Sequence, residues 1–405
     1  MQNINDLDLY RLPWDEPSFA ANPYPHFDKA REKHPWLAKV DTGYAVFELQ
    51  AIRDLLGNDE NLRPSFDGIA EIMECKGSPW GRFCEEQMIA LPAREHKLLR
   101  ETFAARFTPR YANQLRPIMR ETMERLLQEW TPREHIDFEE FASYYPVSVM
   151  AQMVGAPLDV IPGLRESMEV MGLAFAMDKT KVPEIDKAFL HMDAFAHDLV
   201  AERRANPHEE QTDLLDLLIE AAADGGISDR QLYDLLIFLF VAGYDTSKNV
   251  LTYMMHLMVD NPEIYERCAE DFDYCKKVVE ETLRIFNPSS SFRVTETDIE
   301  YRDVFIPAGT MLFFNLNVSG RDPSAFDDPD TYNPDRAIDP ARRHVAFGLG
   351  KHMCLGQYIA RAQLQEAIHL IAKHMKNPKE AGEPGWRPFP GVWGIKGLPL
   401  DFTPA

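Results

Sequence analysis

The chain has 405 residues, 43 of them Lys or Arg and 65 Asp or Glu, for a formal net charge of −22. So acidic a protein is not built to coat a polyanion such as nucleic acid, and 45% hydrophobic with 27% charged residues is the make-up of a globule and not of a disordered chain. Its five cysteines, at 75, 84, 268, 275 and 354, include no Cys-x-x-Cys pair, which suits a reducing, cytoplasmic setting better than a disulfide framework.

The amino-terminal stretch MQNINDLDLYRLPWDEP places acids and prolines where a secretion signal needs a basic start and an apolar core. Residues 36–49 predict two short strands around an Asp41-Thr42-Gly43 turn. The stretch from about 64 to 90 reads as a loop, and from about 93 to 290 the pattern is helical. Its clearest helix covers 228–259, with Ser228 and Gln231 at capping-box spacing and Asp260-Asn261-Pro262 as the stop. The middle of that helix is apolar on every face, which predicts burial all round. Its greasiest run, Leu235 to Gly243, is about half of the ~18 residues needed to cross a bilayer, so no membrane span is expected. Beyond Pro288 the residues RVTETDIEYRDVFI and TMLFFNLNVSG read as strands joined at Pro307-Ala308-Gly309. A proline-rich connection fills 320–343, a helix resumes near Cys354 and runs to about 375, and short strands surround Trp393. No repeat or linker divides the chain, which predicts one mostly α (α+β) domain over 1–405.

The segment His344 to Gly356 carries the chemistry. Gly348 and Gly350 ahead of a cysteine let the backbone lie against a flat object where any Cβ would collide. Cys354 falls at or just before a helix start, where free N–H groups and the helix dipole favour a thiolate, and a thiolate so placed can ligate iron. Two other readings are a small buried hydrophobe and a dinucleotide loop, the latter opposed by Met353 where the last fingerprint glycine belongs. Zinc is opposed by the absence of a second cysteine or a Cys/His cluster at ligand spacing.

Phe347 to Gly356 reads F-G-x-G-x-H-x-C-x-G, and in this it resembles the haem-binding loop of the cytochrome P-450 family, the haem-thiolate monooxygenases. The resemblance runs from Asn22-Pro23-Tyr24-Pro25 to Trp393. It implies the helix-rich P-450 fold with small sheets and a long buried helix over the haem, and haem b (iron protoporphyrin IX) as cofactor. Cys354 is then the iron ligand, with Phe347, Gly348, Gly350 and Gly356 shaping its seat. His96 and Arg100, spaced i, i+4, together with Arg293 and His352, match positions that contact the haem propionates. Glu281 and Arg284, at i, i+3 among apolar neighbours, match two members of a structural Glu/Arg/Arg cluster whose third is Arg336.

Ala242-Gly243-Tyr244-Asp245-Thr246-Ser247 stands midway along the long helix. A glycine there costs about 1 kcal/mol relative to alanine, and a buried aspartate costs more. One reading lets the Thr246 hydroxyl bond back to the carbonyl four residues earlier. The resemblance implies another, in which dioxygen binds beside Ala242 and Gly243, Thr246 holds a water and Asp245 passes protons inward. Position alone proposes Phe238, Val241, Ala242, Ser289, Ser290 and Trp393 for a small or medium hydrophobic substrate. No flavin or nicotinamide fingerprint is visible, so electrons are expected from a [2Fe-2S] ferredoxin and its NAD(P)H-dependent reductase. Two basic stretches in this acidic chain, 91–110 and 341–361 with Arg342, Arg343, Lys351 and Arg361, would steer it. The rivals are a peroxide-driven peroxygenase, which needs no Asp245-Thr246 pair, and a non-catalytic haem or gas sensor.

Overall fold

Leu37–Val40 and Gly43–Val46 pair as the predicted hairpin, Val40 opposite Gly43. In this computed structural model, which describes residues 1–57, 59–337, 339–340 and 343–405, the hairpin is one edge of a five-stranded sheet. Its order is Leu37–Val40, Gly43–Val46, Met311–Phe314, Ser291–Thr295 and Leu62–Arg63. Only Gly43–Val46 and Met311–Phe314 run parallel. Gly43 is a steric necessity, because a Cβ there would lie 2.3 Å from the Met311 carbonyl oxygen. Trp36, Val46, Ile52, Leu312 and Phe314 form the apolar core against the sheet. Gln2–Asn3, Val304–Ile306 and Ile299–Tyr301 make a second, three-stranded sheet.

By its internal contacts the chain gathers into two compact units. The first comprises Met1–Ser65, Lys277–Cys354 and Gly385–Lys396, and the second Phe66–Lys276, Leu355–Pro384 and Gly397–Ala405. The long helix, Asp229–Asp260, organises the second unit. Ser228 accepts from the Gln231 N–H while the Gln231 side chain returns to the Ser228 N–H, the reciprocal cap expected from their spacing. Helices Phe138–Val154, Ile161–Gly172, Val182–Ala205 and Gln357–His374 pack against it. Among the described residues no helix is long and apolar enough to cross a membrane.

Two expectations change. The stretch read as a loop from 64 to 90 contains helices Phe66–Ile72 and Pro79–Glu86. Ser78 caps the second, Pro79 occupies its first turn, and a Cβ on Gly81 would lie 2.0 Å from the Cys75 carbonyl oxygen. Residues that ordinarily break helices here start one and let it pack closely. The helical stretch from 93 to 290 is also interrupted by the strand His135–Asp137, which pairs with Pro399–Pro404. From 320 to 349 no α-helix or strand occurs among the described residues, as the prolines suggested.

Removing the cap of the long helix by Ser228→Ala should cost about 1 kcal/mol. Urea unfolding of the holoprotein measures it, and an unchanged midpoint would contradict the cap's contribution.

Candidate functional site

Cysteines 75, 84, 268 and 275 are buried, whereas Cys354 is exposed. Burial pushes the Cys84 and Cys75 thiols up, and a hydrogen bond with the Cys268 side chain together with burial does the same for Cys275. Those three are held as inert thiols. Cys354 ends a loop that closes on itself: its N–H donates to the Phe347 carbonyl at 2.8 Å, and the Gly348 N–H donates to the Val345 carbonyl at 2.8 Å. Gly348 and Gly350 take φ of +71° and +69°, a region that residues with a Cβ rarely enter. A Cβ built on Gly348 meets nothing within 4 Å, so the bare face is not filled by the chain's own atoms. Asn287 Nδ2 donates to the Ala346 carbonyl at 3.0 Å and fixes the base of the loop. Three residues beyond Cys354 begins the helix Gln357–His374, with Gly356 at its N-cap. An exposed sulfur on a bare, tethered loop fits the seat of a flat prosthetic group.

The cationic residues expected to face propionates occupy both units. In the second, His96 is buried on the helix Ala93–Phe103, and Arg100 lies one turn further along, half-buried. In the first, Arg293 is buried on Ser291–Thr295 and His352 is half-buried in the turn Gly350–His352. Arg293 Nη1 donates to Ser291 Oγ and to the Phe292 carbonyl, both at 2.8 Å. Guanidinium and imidazole groups held out of water are the donor set that suits carboxylates.

Glu281, Arg284 and Arg336 meet. Arg284 grips the Glu281 carboxylate with Nε at 2.8 Å and Nη2 at 2.7 Å, and Arg336 Nε reaches the same carboxylate at 3.3 Å. The remaining donors of both arginines tie down the irregular segment. Arg284 bonds the carbonyls of Gly320, Pro329 and Thr331, and Arg336 those of Asp327, Asp328 and Thr331. The Asn333 N–H adds a bond to Glu281 Oε1 at 3.0 Å.

On the long helix Ala242 is exposed, with Phe238, Val241, Gly243 and Thr246 half-buried, although the helix on either side is mostly buried. Phe238, Ala242 and Thr246 follow each other at i, i+4, i+8, an uncovered and largely apolar stripe. Thr246 Oγ1 donates to the Ala242 carbonyl at 3.2 Å, the local bond foreseen for a threonine in a helix. A Cβ on Gly243 would stand 2.6 Å from Met150 Cε, the far end of a flexible side chain on the helix Phe138–Val154. Asp245 is buried, and Lys248 Nζ lies 3.2 Å from its Oδ1. Lys248 escaped the sequence reading, although a lysine one turn from a buried aspartate in an apolar helix was a visible signal.

Ser289 and Ser290 are half-buried. Trp393 is only 1% exposed and sits in an aromatic cluster with Trp386, Phe286, Phe389 and Tyr24, its Nε1 donating to the Ala20 carbonyl at 2.8 Å. That placement makes it a core-packing residue, unlike the substrate contact expected from its position. Of the basic residues, Lys97, Arg343 and Lys351 are exposed, Arg361 is half-buried, and Arg342 lies outside the described residues.

The sequence pattern of the cytochrome P-450 family matches residues 70–376. Over 98% of its length the chain is 31% identical to luteothin monooxygenase of Streptomyces thioluteus, covering 97% of that protein. It is 29% identical to cytochrome P-450 109 of Bacillus spizizenii, covering 94% of this chain and 92% of the other. Among solved structures, the myxobacterial cytochrome P-450 CYP267B1 in complex with myristic acid superposes with a TM-score of 0.85 at 25% identity, covering 96% of this chain and 98% of that one.

Glu281→Ala would leave two guanidinium groups without their carboxylate, a loss of roughly 3 to 5 kcal/mol by analogy with broken buried pairs. The expected result is little haem-loaded protein, measured as Soret absorbance per unit of purified chain. Normal haem content would contradict the cluster's role.

Proposed function

The chain belongs to the cytochrome P-450 family, monooxygenases that carry haem b, and on that premise we propose that it inserts one atom of O2 into a small or medium-sized hydrophobic substrate, the other atom leaving as water. The observation that carries this reading is the presentation of Cys354, an exposed sulfur on a loop twisted by two left-handed glycines and closed through the Phe347 carbonyl. Haem held through a thiolate supplies an electron-rich iron at which O2 is bound and its O–O bond broken.

Within the proposal each residue has a definite task. Cys354 Sγ is the iron ligand, and the helix start that follows it favours the thiolate form. Phe347, Gly348, Gly350 and Gly356 shape the seat, while His96, Arg100, Arg293 and His352 hold the propionates. Thr246 directs its O–H at the Ala242 carbonyl, so its oxygen lone pairs are presented as acceptors, and Thr246 Oγ1 thereby positions a water. Asp245 carries protons from the charged interior toward that water. Phe238, Val241 and Ala242 offer an apolar wall to the substrate, and Ser289 and Ser290 offer hydrogen bonds to a carbonyl or hydroxyl. The solved relative that holds myristic acid supports an apolar substrate class.

Electrons come from a separate [2Fe-2S] ferredoxin served by an NAD(P)H-dependent reductase, in the cytoplasm. The exposed Lys97, Arg343 and Lys351 in a chain of net charge −22 support docking of an acidic partner.

The experiment begins with a titration of the ferric holoprotein against terpenoid, aromatic, steroid and fatty compounds, myristic acid included. The Soret band should move to shorter wavelength with one apolar class. With that compound as substrate, Thr246→Ala should keep consuming NAD(P)H but divert most of it to hydrogen peroxide. An unchanged product-to-reductant ratio would overturn the assignment of Thr246.

A further inference from the structure

Lys248 is fully buried, in the middle of the long helix. An ammonium out of water is strongly unfavourable unless anions meet it, and here carboxylates arrive from three helices. Glu139 Oε1, in the first turn of Phe138–Val154, lies 2.7 Å from Nζ, Asp245 Oδ1 of its own helix 3.2 Å, and Glu169 Oε1 of Ile161–Gly172 3.7 Å. The exposures of these side chains are graded: Glu139 and Asp245 are 4% and 5% exposed, whereas Glu169 is 23% exposed. Glu169 also accepts from the Tyr244 hydroxyl at 3.0 Å and stands 3.5 Å from Arg165 Nη1. The Tyr244 ring lies under the Lys248 ammonium, 5.1 Å from centroid to Nζ. Tyr144, with the Arg165 guanidinium 4.8 Å above its ring, and Glu140, whose charge also acts on Arg165, border the cluster.

This arrangement does more than join three helices. The carboxylate that reaches solvent and the buried carboxylate assigned to proton delivery touch the same ammonium. From this juxtaposition we propose that Lys248 is a positioning residue for proton delivery: its ammonium sets the direction of the Asp245 carboxylate and links it through Glu139 and Glu169 to the partly exposed side of the cluster. The inference rests on the reading that Asp245 handles protons. Because Lys248 holds Asp245 by charge, an uncharged side chain of similar length releases the carboxylate while the helix persists.

The test uses four holoproteins: wild type, Lys248→Met, Asp245→Asn, and the pair Lys248→Met with Glu139→Gln. The last removes one buried charge of each sign, so the net charge of the cluster stays that of the wild type if the single variant proves too unstable to purify. Two readouts are taken. The first is the infrared carboxylate band of Asp245, identified as the band lost in Asp245→Asn, which reports the carboxylate's surroundings without turnover. The second is the solvent deuterium isotope effect on product formation together with its pH profile. Removal of Lys248 is expected to shift the Asp245 band, raise the isotope effect, displace the pH profile and slow product formation at least about tenfold, within the range for a mis-set general acid. If removing Lys248 lowers stability while the band, isotope effect and profile stay those of the wild type, Lys248 is only a structural hub and the proposal falls. If Asp245→Asn itself leaves the isotope effect unchanged, the proton role of Asp245 fails first and takes the proposal with it. The two failures are thus told apart by which variant is silent.

Discussion

A sulfur atom can hold a metal inside a flat ring only if its backbone comes close to the ring and stays there. On the proposed reading, the stretch from Val345 to Cys354 meets both conditions by local means. Two glycines at positive φ remove the side chains that would stand in the way, and the bond from the Cys354 N–H to the Phe347 carbonyl closes the turn. The loop does not hold itself in place. Asn287 grips its base, two residues after the helix Phe272–Ile285 that carries Glu281 and Arg284. The Arg284 guanidinium in turn donates to carbonyls of the irregular segment upstream of the loop, and the Glu281 carboxylate accepts from the Asn333 N–H. A segment without a hydrogen-bonded ladder of its own is thereby held by guanidinium donors, which meet several carbonyls at fixed angles where lysine would supply a point charge.

Buried charge recurs in the helical unit with a different purpose. The Glu281 cluster satisfies its groups largely with backbone carbonyls and one carboxylate, an arrangement suited to rigidity. The Lys248 cluster gathers three carboxylates on one ammonium beside the residue assigned to proton transfer. Hydrogen bonds in a low-dielectric interior are strong when complete and costly when not. Both clusters are therefore places where a single substitution acts far beyond its own contacts.

What could be read from the chain alone follows the range of the interactions. The cap at Ser228 and Gln231, the hairpin at Asp41-Thr42 and the Phe347–Gly356 signature are contiguous or nearly so, and each stands where its spacing placed it. Glu281 and Arg284 are one helical turn apart and equally legible. The misses involve partners distant in sequence. His135–Asp137 becomes a strand only because Pro399–Pro404 pairs with it. Trp393 looked available to a substrate until its indole N–H was found bonded to Ala20, 373 positions away.

The central claim is that Cys354 bonds to haem iron as a thiolate. Its most direct test is the absorption spectrum of the dithionite-reduced holoprotein under carbon monoxide, recorded for the wild type and for Cys354→Ser. The account predicts the strongly red-displaced Soret band that a thiolate ligand imposes, present in the wild type and absent from the variant. A wild-type band at the position of imidazole-ligated haem, or the displaced band surviving in Cys354→Ser, would contradict it.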